Sequence, residues 1–113
     1  GSMTNSRKDV VQLAIHYMKE NLNKKIRLTD IAREVKLSAS YFSNLFEEKT
    51  GSSPLRYLNY LRIQEACHYL DFTDMKISQI SPLVGYEDSL YFSRLFTKTM
   101  GIPPSEYKAK KKG

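Results

Sequence analysis

The sequence predicts an all-α fold of seven helices, built as two similar subdomains joined by a long linker helix. Three observations carry that reading. Apolar residues recur at spacings of three and four along most of the chain, and nowhere alternate strictly for more than a few residues, which suits helices and not strands. Capping residues and glycines punctuate the periodic runs where helices should begin and end. Two stretches fifty residues apart, "YFSNLFEEKTGSSPLRY" at 41–57 and "YFSRLFTKTMGIPPSEY" at 91–107, are near copies of one another.

With 113 residues, 41% of them hydrophobic and only five Gly and four Pro, the chain is long enough for a compact domain and too apolar for a disordered segment. Gly1-Ser2-Met3 reads as the remnant of a removed affinity tag, which points to a longer parent protein. The domain proper is placed at 4–113, with subdomains at about 9–52 and 74–108 and the linker helix at about 54–71.

Val11, Ala14, Ile15, Met18 and Leu22 put one apolar face on a first helix from Lys8 to Leu22. Thr29 before "DIAREV" is the expected N-cap of a second, short helix that buries Ile31, Ala32 and Val35. Ser38 caps a third running to about Lys49, with Phe42, Leu45 and Phe46 inward and Gly51 closing it in the left-handed conformation. Pro54 opens the long fourth helix, periodic to about Leu70, because proline at the first helical position sacrifices no hydrogen bond.

Ser78 is the expected cap of a fifth helix that buries Ile80, Leu83 and Val84 and carries an awkward Pro82. A sixth runs from about Asp88 to Thr99 on Phe92, Leu95 and Phe96, and Gly101 closes it. Pro103-Pro104 starts a short last helix around Ser105 to Lys108, before a lysine-rich tail expected to fray.

Displacing the chain by fifty positions matches Tyr41, Phe42, Ser43, Leu45, Phe46, Gly51, Pro54 and Tyr57 with identical residues at 91, 92, 93, 95, 96, 101, 104 and 107. With one residue inserted, Ile31 and Val35 align with Ile80 and Val84, so the repeated unit is a short helix, a turn and a longer helix. That is the helix-turn-helix arrangement, whose second helix packs one face on its domain and leaves the other for the DNA major groove. The "YFS..LF" stretches are then the expected buried backs. The free stripe is Ser40, Ser43, Asn44 and Glu47 in the first unit, and Leu90, Ser93, Arg94 and Thr97 in the second, beside Ser89 and Lys98. Small hydrogen-bonding side chains suit a helix close to base edges, and Arg94 can grip guanine in two hydrogen bonds.

A net charge of +6 and a pI of about 9.4 fit an anionic partner. The single cysteine, Cys67, cannot close a disulfide within the chain, and no run of about 20 apolar residues suits a membrane, so a reducing cytoplasmic setting is expected.

"ISPLVGYEDSLYFSRLFTKTMGIPPSEYK" at 80–108 resembles the signature of the AraC/XylS transcription regulators of bacteria, and "IAREVKLSASYFSNLFEEKTGSSPLRYLNYLRIQEACHYL" at 31–70 resembles that family's first unit and linker helix. The resemblance implies sequence-specific binding of double-stranded promoter DNA, with the third and sixth helices in adjacent major-groove segments. Carried position by position, it implies base reading by Ala39, Ser40, Ser43 and Asn44, and by Ser89, Leu90, Ser93 and Arg94. It also implies RNA polymerase as a partner, and a sensor or dimerisation domain N-terminal to this one. Two departures stand out: Lys36 fills the turn where the second unit has Gly85, so that turn is expected to differ in geometry, and Pro82 puts the packing of the fifth helix in doubt.

Lys24, Lys25, Arg27, Lys49, Arg56, Arg62 and Lys98 lie outside the reading stripes and are candidates for phosphate contacts that fix register. No enzyme is expected. His16, His68 and Cys67 lack any zinc-ligand spacing, there is no phosphate loop or nucleophile elbow, and Glu47 and Glu48 are consecutive and point apart on a helix, so no catalytic residue, metal or cofactor is assigned. The alternative is a helical adaptor that binds another protein through its exposed faces, for which the apolar Leu90 is the one supporting residue.

Overall fold

The computed structural model describes residues 7–112; the proposed tag remnant Gly1-Ser2-Met3 and the last residue of the lysine tail, Gly113, lie outside them. Among the described residues there are seven helices: α1 (Arg7–Glu20), α2 (Leu28–Glu34), α3 (Ala39–Thr50), α4 (Pro54–Phe72), α5 (Ile77–Leu83), α6 (Ser89–Met100) and α7 (Pro104–Lys112). The fold is all-α, as the periodicity predicts. The chain divides into two compact units between Asn59 and Tyr60, within α4.

In the first unit, Val11, Ala14 and Met18 of α1 meet Ile31, Ala32 and Val35 from the α2 segment and Phe42, Leu45 and Phe46 of α3, all buried. Pro54 and Leu58 of α4 are buried with them. Each fully buried large apolar side chain contributes about 1.5–3 kcal/mol, so Phe42, Phe46, Met18 and Ile31 dominate this core. Phe46 packs edge-on against Tyr57 with ring centroids 5.4 Å apart.

The second unit solves the same problem with α4 in the place of α1. Ile63, Ala66, Cys67 and Leu70 form one side of a core completed by Ile80, Val84, Tyr86, Phe92 and Phe96. Here Phe96 packs edge-on against Tyr107 at 5.7 Å, the same pair of repeat positions as Phe46 and Tyr57. Pro104, like Pro54, is fully buried and opens its helix.

Several local expectations need correction. Helices α2 and α5 each start two residues earlier than expected, at Leu28 and Ile77, because longer side chains reach back to cap them. Asp30 Oδ2 accepts the Arg27 N–H at 2.9 Å, and Gln79 Oε1 accepts the Lys76 N–H at 2.9 Å. Thr29 and Ser78 therefore sit inside the first turn and are not the caps. Leu83 is exposed, and Ser81 is buried in its stead, its Oγ donating to the Tyr86 carbonyl at 2.6 Å. Pro82 is the sixth of seven residues in α5 and the helix stops one residue later, so the bond it cannot donate falls in the final turn.

The lysine tail does not fray at Lys108. Helix α7 continues to Lys112, held where Lys108 Nζ donates to the Met75 carbonyl at 2.9 Å, Tyr107 Oη donates to Asp71 at 3.0 Å, and Lys111 lies 3.6 Å from Asp71. Cations in a last helical turn also complement the carbonyls exposed there.

Candidate nucleic-acid interface

The two prospective reading helices, α3 and α6, are each twelve residues long and framed alike. Ser38 Oγ accepts the Tyr41 N–H at 3.2 Å to start α3, and Asp88 Oδ1 accepts the N–H groups of Leu90 and Tyr91 at 2.9 and 3.2 Å to start α6. Gly51 at φ 81° and Gly101 at φ 86° end them in the left-handed region. The cap-to-cap frame fixes which side chains turn inward. In α3, Phe42, Leu45 and Phe46 are buried; in α6, Phe92 and Phe96 are buried, with Leu95 half-buried.

The opposite stripe is open. Ser40 and Asn44 are exposed on α3, with Ala39 and Ser43 half-buried beside them; Leu90 and Arg94 are exposed on α6, with Ser89 and Ser93 half-buried. Each helix thus brings its four candidate positions onto one accessible face. Thr97 donates its hydroxyl to the Ser93 carbonyl at 2.8 Å. Tyr41 and Tyr91, the first letters of the repeat, are not part of the buried backs: they are 48% and 52% exposed. Their place one residue before Phe42 and Phe92 turns them about 100° off the core, a signal available from the helical period.

The turns that set α2 against α3 and α5 against α6 share a hydrogen-bond pattern. Lys36 N–H donates to the Arg33 carbonyl at 3.0 Å and Leu37 N–H to Ala32 at 3.0 Å; Gly85 N–H donates to Pro82 at 3.1 Å and Tyr86 N–H to Ser81 at 2.9 Å. Both are left-handed helix ends of the Schellman type. The expected difference in geometry is absent: Lys36 adopts φ 61° where Gly85 adopts φ 95°, and a non-glycine residue held there costs roughly 1 kcal/mol. The repeat's extra residue, Glu87, lies after this shared end and before the cap Asp88, so the second turn is longer by one. A groove of about 580 Å³ beside the first turn is lined by Thr29, Ala32, Arg33, Lys36, Leu37 and Ala39. Arg33 and Lys36 were not among the phosphate candidates chosen from sequence; their place at the left-handed turn marks them.

Of the candidate phosphate ligands, Lys24, Lys25, Arg27, Lys49, Arg56 and Lys98 are exposed. Arg62 is not: it is 7% exposed, with its guanidinium carbon 5.4 Å from the centre of the Tyr86 ring. A guanidinium covered in this way has little surface left for a phosphate. Burial pushes the Tyr86 phenol up to about 12, against the opposing influence of the Arg62 charge.

His16 is exposed, and His68 packs against Phe72 with ring centroids 4.8 Å apart and the rings tilted by 49°. Burial raises the Cys67 thiol above its ordinary range, although a hydrogen bond with Tyr107 acts the other way. The Tyr107 phenol is itself pushed up to about 12, by desolvation first and then by its bond to Asp71. Among the described residues no group of three or more His, Cys, Asp or Glu is placed to hold a metal ion, and no helix is long and apolar enough to cross a membrane.

A family model described as a helix-turn-helix domain matches residues 31–110. The MmsAB operon regulatory protein of Pseudomonas aeruginosa is 39% identical over 92 residues, which cover 81% of this chain and 30% of that protein. The chain spans about a third of the length of the curated relatives it matches. Among solved structures, a transcriptional regulator with an AraC-type DNA-binding domain from Chromobacterium violaceum superposes with a TM-score of 0.87 at 27% identity, covering 92% of this chain and 93% of that one. The DNA-binding domain of the global transcriptional factor AdpA, solved with a target DNA, shares the fold with a TM-score of 0.84 at 22% identity, over 88% of this chain and 90% of that one. Two helix-turn-helix units in tandem, matched in order along nearly the whole chain, place it in one family: the chain belongs to the AraC-type helix-turn-helix domains of DNA-binding transcription regulators.

Proposed function

We propose that this domain binds double-stranded promoter DNA sequence-specifically, with α3 and α6 entering successive major-groove segments. The observation that carries the reading is the pair of similarly framed helices whose buried faces repeat while most of their exposed positions differ. Base reading falls to Ala39, Ser40, Ser43 and Asn44 on α3, and to Ser89, Leu90, Ser93 and Arg94 on α6. Exposed Lys24, Lys25, Arg27, Lys49, Arg56 and Lys98 supply phosphate contacts. Arg62 is left out of that set because it is buried.

The domain works without catalysis, in the cytoplasm, as part of a regulator that carries a sensor or dimerisation domain and meets RNA polymerase at the promoter. Its relatives' printed roles as operon regulators and the unmatched two thirds of their length support that placement.

Selection of bound sites from random DNA, followed by footprinting, tests the reading. A conserved motif spanning two turns of the duplex is expected. Arg94→Ala should cost about 1–3 kcal/mol at one base position and leave preferences elsewhere intact. Affinity that stays at the nonspecific level for every sequence, indifferent to Arg94→Ala, would falsify it.

A further inference from the structure

We propose that the groove beside the first helix-turn-helix turn is a binding site for one phosphodiester of the DNA backbone, with Lys36 and Arg33 as its cationic ligands. The inference rests on the DNA-binding reading above and adds to it two cations that were not among the phosphate candidates chosen from sequence.

The starting point is a residue that the fold does not require. Lys36 sits at φ 61°, and its counterpart Gly85, at φ 95°, builds the same left-handed helix end with hydrogen bonds matching within 0.1 Å. Glycine would form this turn free of strain. What lysine adds is an ammonium on a flexible stem, exposed at the edge of a groove of about 580 Å³. A sparsely populated backbone conformation held by a residue with a costly side chain is a feature that gathers at binding sites.

The rest of the groove suits a single anion. Arg33, in the last turn of α2 and three residues before Lys36, lines the same groove and has a side chain 77% exposed. Asp30 stands 3.6 Å from the Arg33 guanidinium and also accepts the Arg27 N–H at 2.9 Å, so that anion is shared with the backbone. Thr29 contributes a hydroxyl donor, while Ala32 and Leu37 give an apolar floor that carries no competing charge. Ala39, a base-reading position, lines the same groove. A helix α3 that reads bases through Ala39 and Ser40 therefore carries this groove to the strand flanking those bases. Arginine can grip two phosphate oxygens at once and lysine acts as a point charge.

The test uses the whole chain on its selected DNA site, with Lys36→Gly, Lys36→Arg and Arg33→Gln, each read for thermal midpoint, affinity and salt dependence. Lys36→Gly is expected to raise the thermal midpoint while weakening DNA about three- to tenfold and lowering the salt slope by about 0.9, as for one lost phosphate contact. Lys36→Arg should keep the slope. Replacing one backbone phosphate in the α3 half of the site with an uncharged methylphosphonate should weaken the parent chain and leave Lys36→Gly nearly unchanged.

If Lys36→Gly binds with unaltered affinity and slope, the site is refuted, while continued sensitivity to Arg94→Ala keeps the DNA-binding reading intact. A fall in thermal midpoint for Lys36→Gly, or an equal loss in Lys36→Arg, also overturns it, since strain or charge would then not be the cause. Absence of specific binding by the parent chain removes both readings together.

Discussion

At the level of single residues, the exposed stripe proposed to read bases could be placed from helical spacing, because a face opposite Phe42, Leu45 and Phe46 has to include Ser40 and Asn44. Leu90 sharpens that stripe. It is 61% exposed, on the face where its counterpart is Ser40, and an apolar side chain in a major groove finds its match in the methyl group of thymine. Deoxyuridine substituted for each thymine in the α6 half of the selected site should weaken binding at one position by about 0.8 kcal/mol, roughly fourfold, as for one methyl group. Leu90→Ala should be indifferent to the same substitution, and gel-shift titration of the substituted duplexes decides it. The residues that sequence misplaced are those whose surroundings come from elsewhere in the chain. Arg62 is covered by Tyr86, twenty-four positions away, and no local pattern announces such a partner. The buried hydroxyl of Ser81, which stands where the first unit has Ala32, is invisible for the same reason until the Tyr86 carbonyl is placed beside it.

For the helices, their number and order were legible, while their ends were legible only where a short cap residue or glycine decides them. Ser38, Gly51 and Gly101 do what their types predict. At α2 and α5 a carboxylate and an amide reach back from the third helical position, and the shorter Thr29 and Ser78 lose the competition. Helix α7 outlasts its expected end because Lys108 and Lys111 find partners on Met75 and Asp71, contacts between residues more than thirty positions apart. The glycine ends offer a clean measurement. A Cβ added at Gly51 or Gly101 would meet nothing within 4 Å, so Gly51→Ala and Gly101→Ala should each cost only the left-handed backbone penalty, about 1 kcal/mol, in urea unfolding. A much larger loss would mean that packing, and not φ, holds these ends.

For the molecule as a whole, stability has an alkaline limit. Tyr86 and Tyr107 are both pushed up to about 12, so the folded chain holds its phenols neutral at a pH where unfolded tyrosines ionise, near 10. That contribution is fully present below about pH 10 and is lost as pH rises from there through about 12. The urea midpoint should therefore fall between pH 9 and pH 11, and Tyr86→Phe, which keeps the ring and removes the proton, should fall less steeply. The tandem architecture itself was legible from the fifty-residue repeat, since eight shared residues describe one packing problem met twice. The units are nonetheless not interchangeable. Glu87 lengthens the second turn by one residue, Leu90 stands against Ser40, and Arg94 against Asn44. On the proposed reading by α3 and α6, the two units therefore prefer different base sequences, and any duplex they read acquires a direction. Turned end for end, the same base pairs would present each half to the wrong helix, so such a site works as a one-way sign along the chromosome.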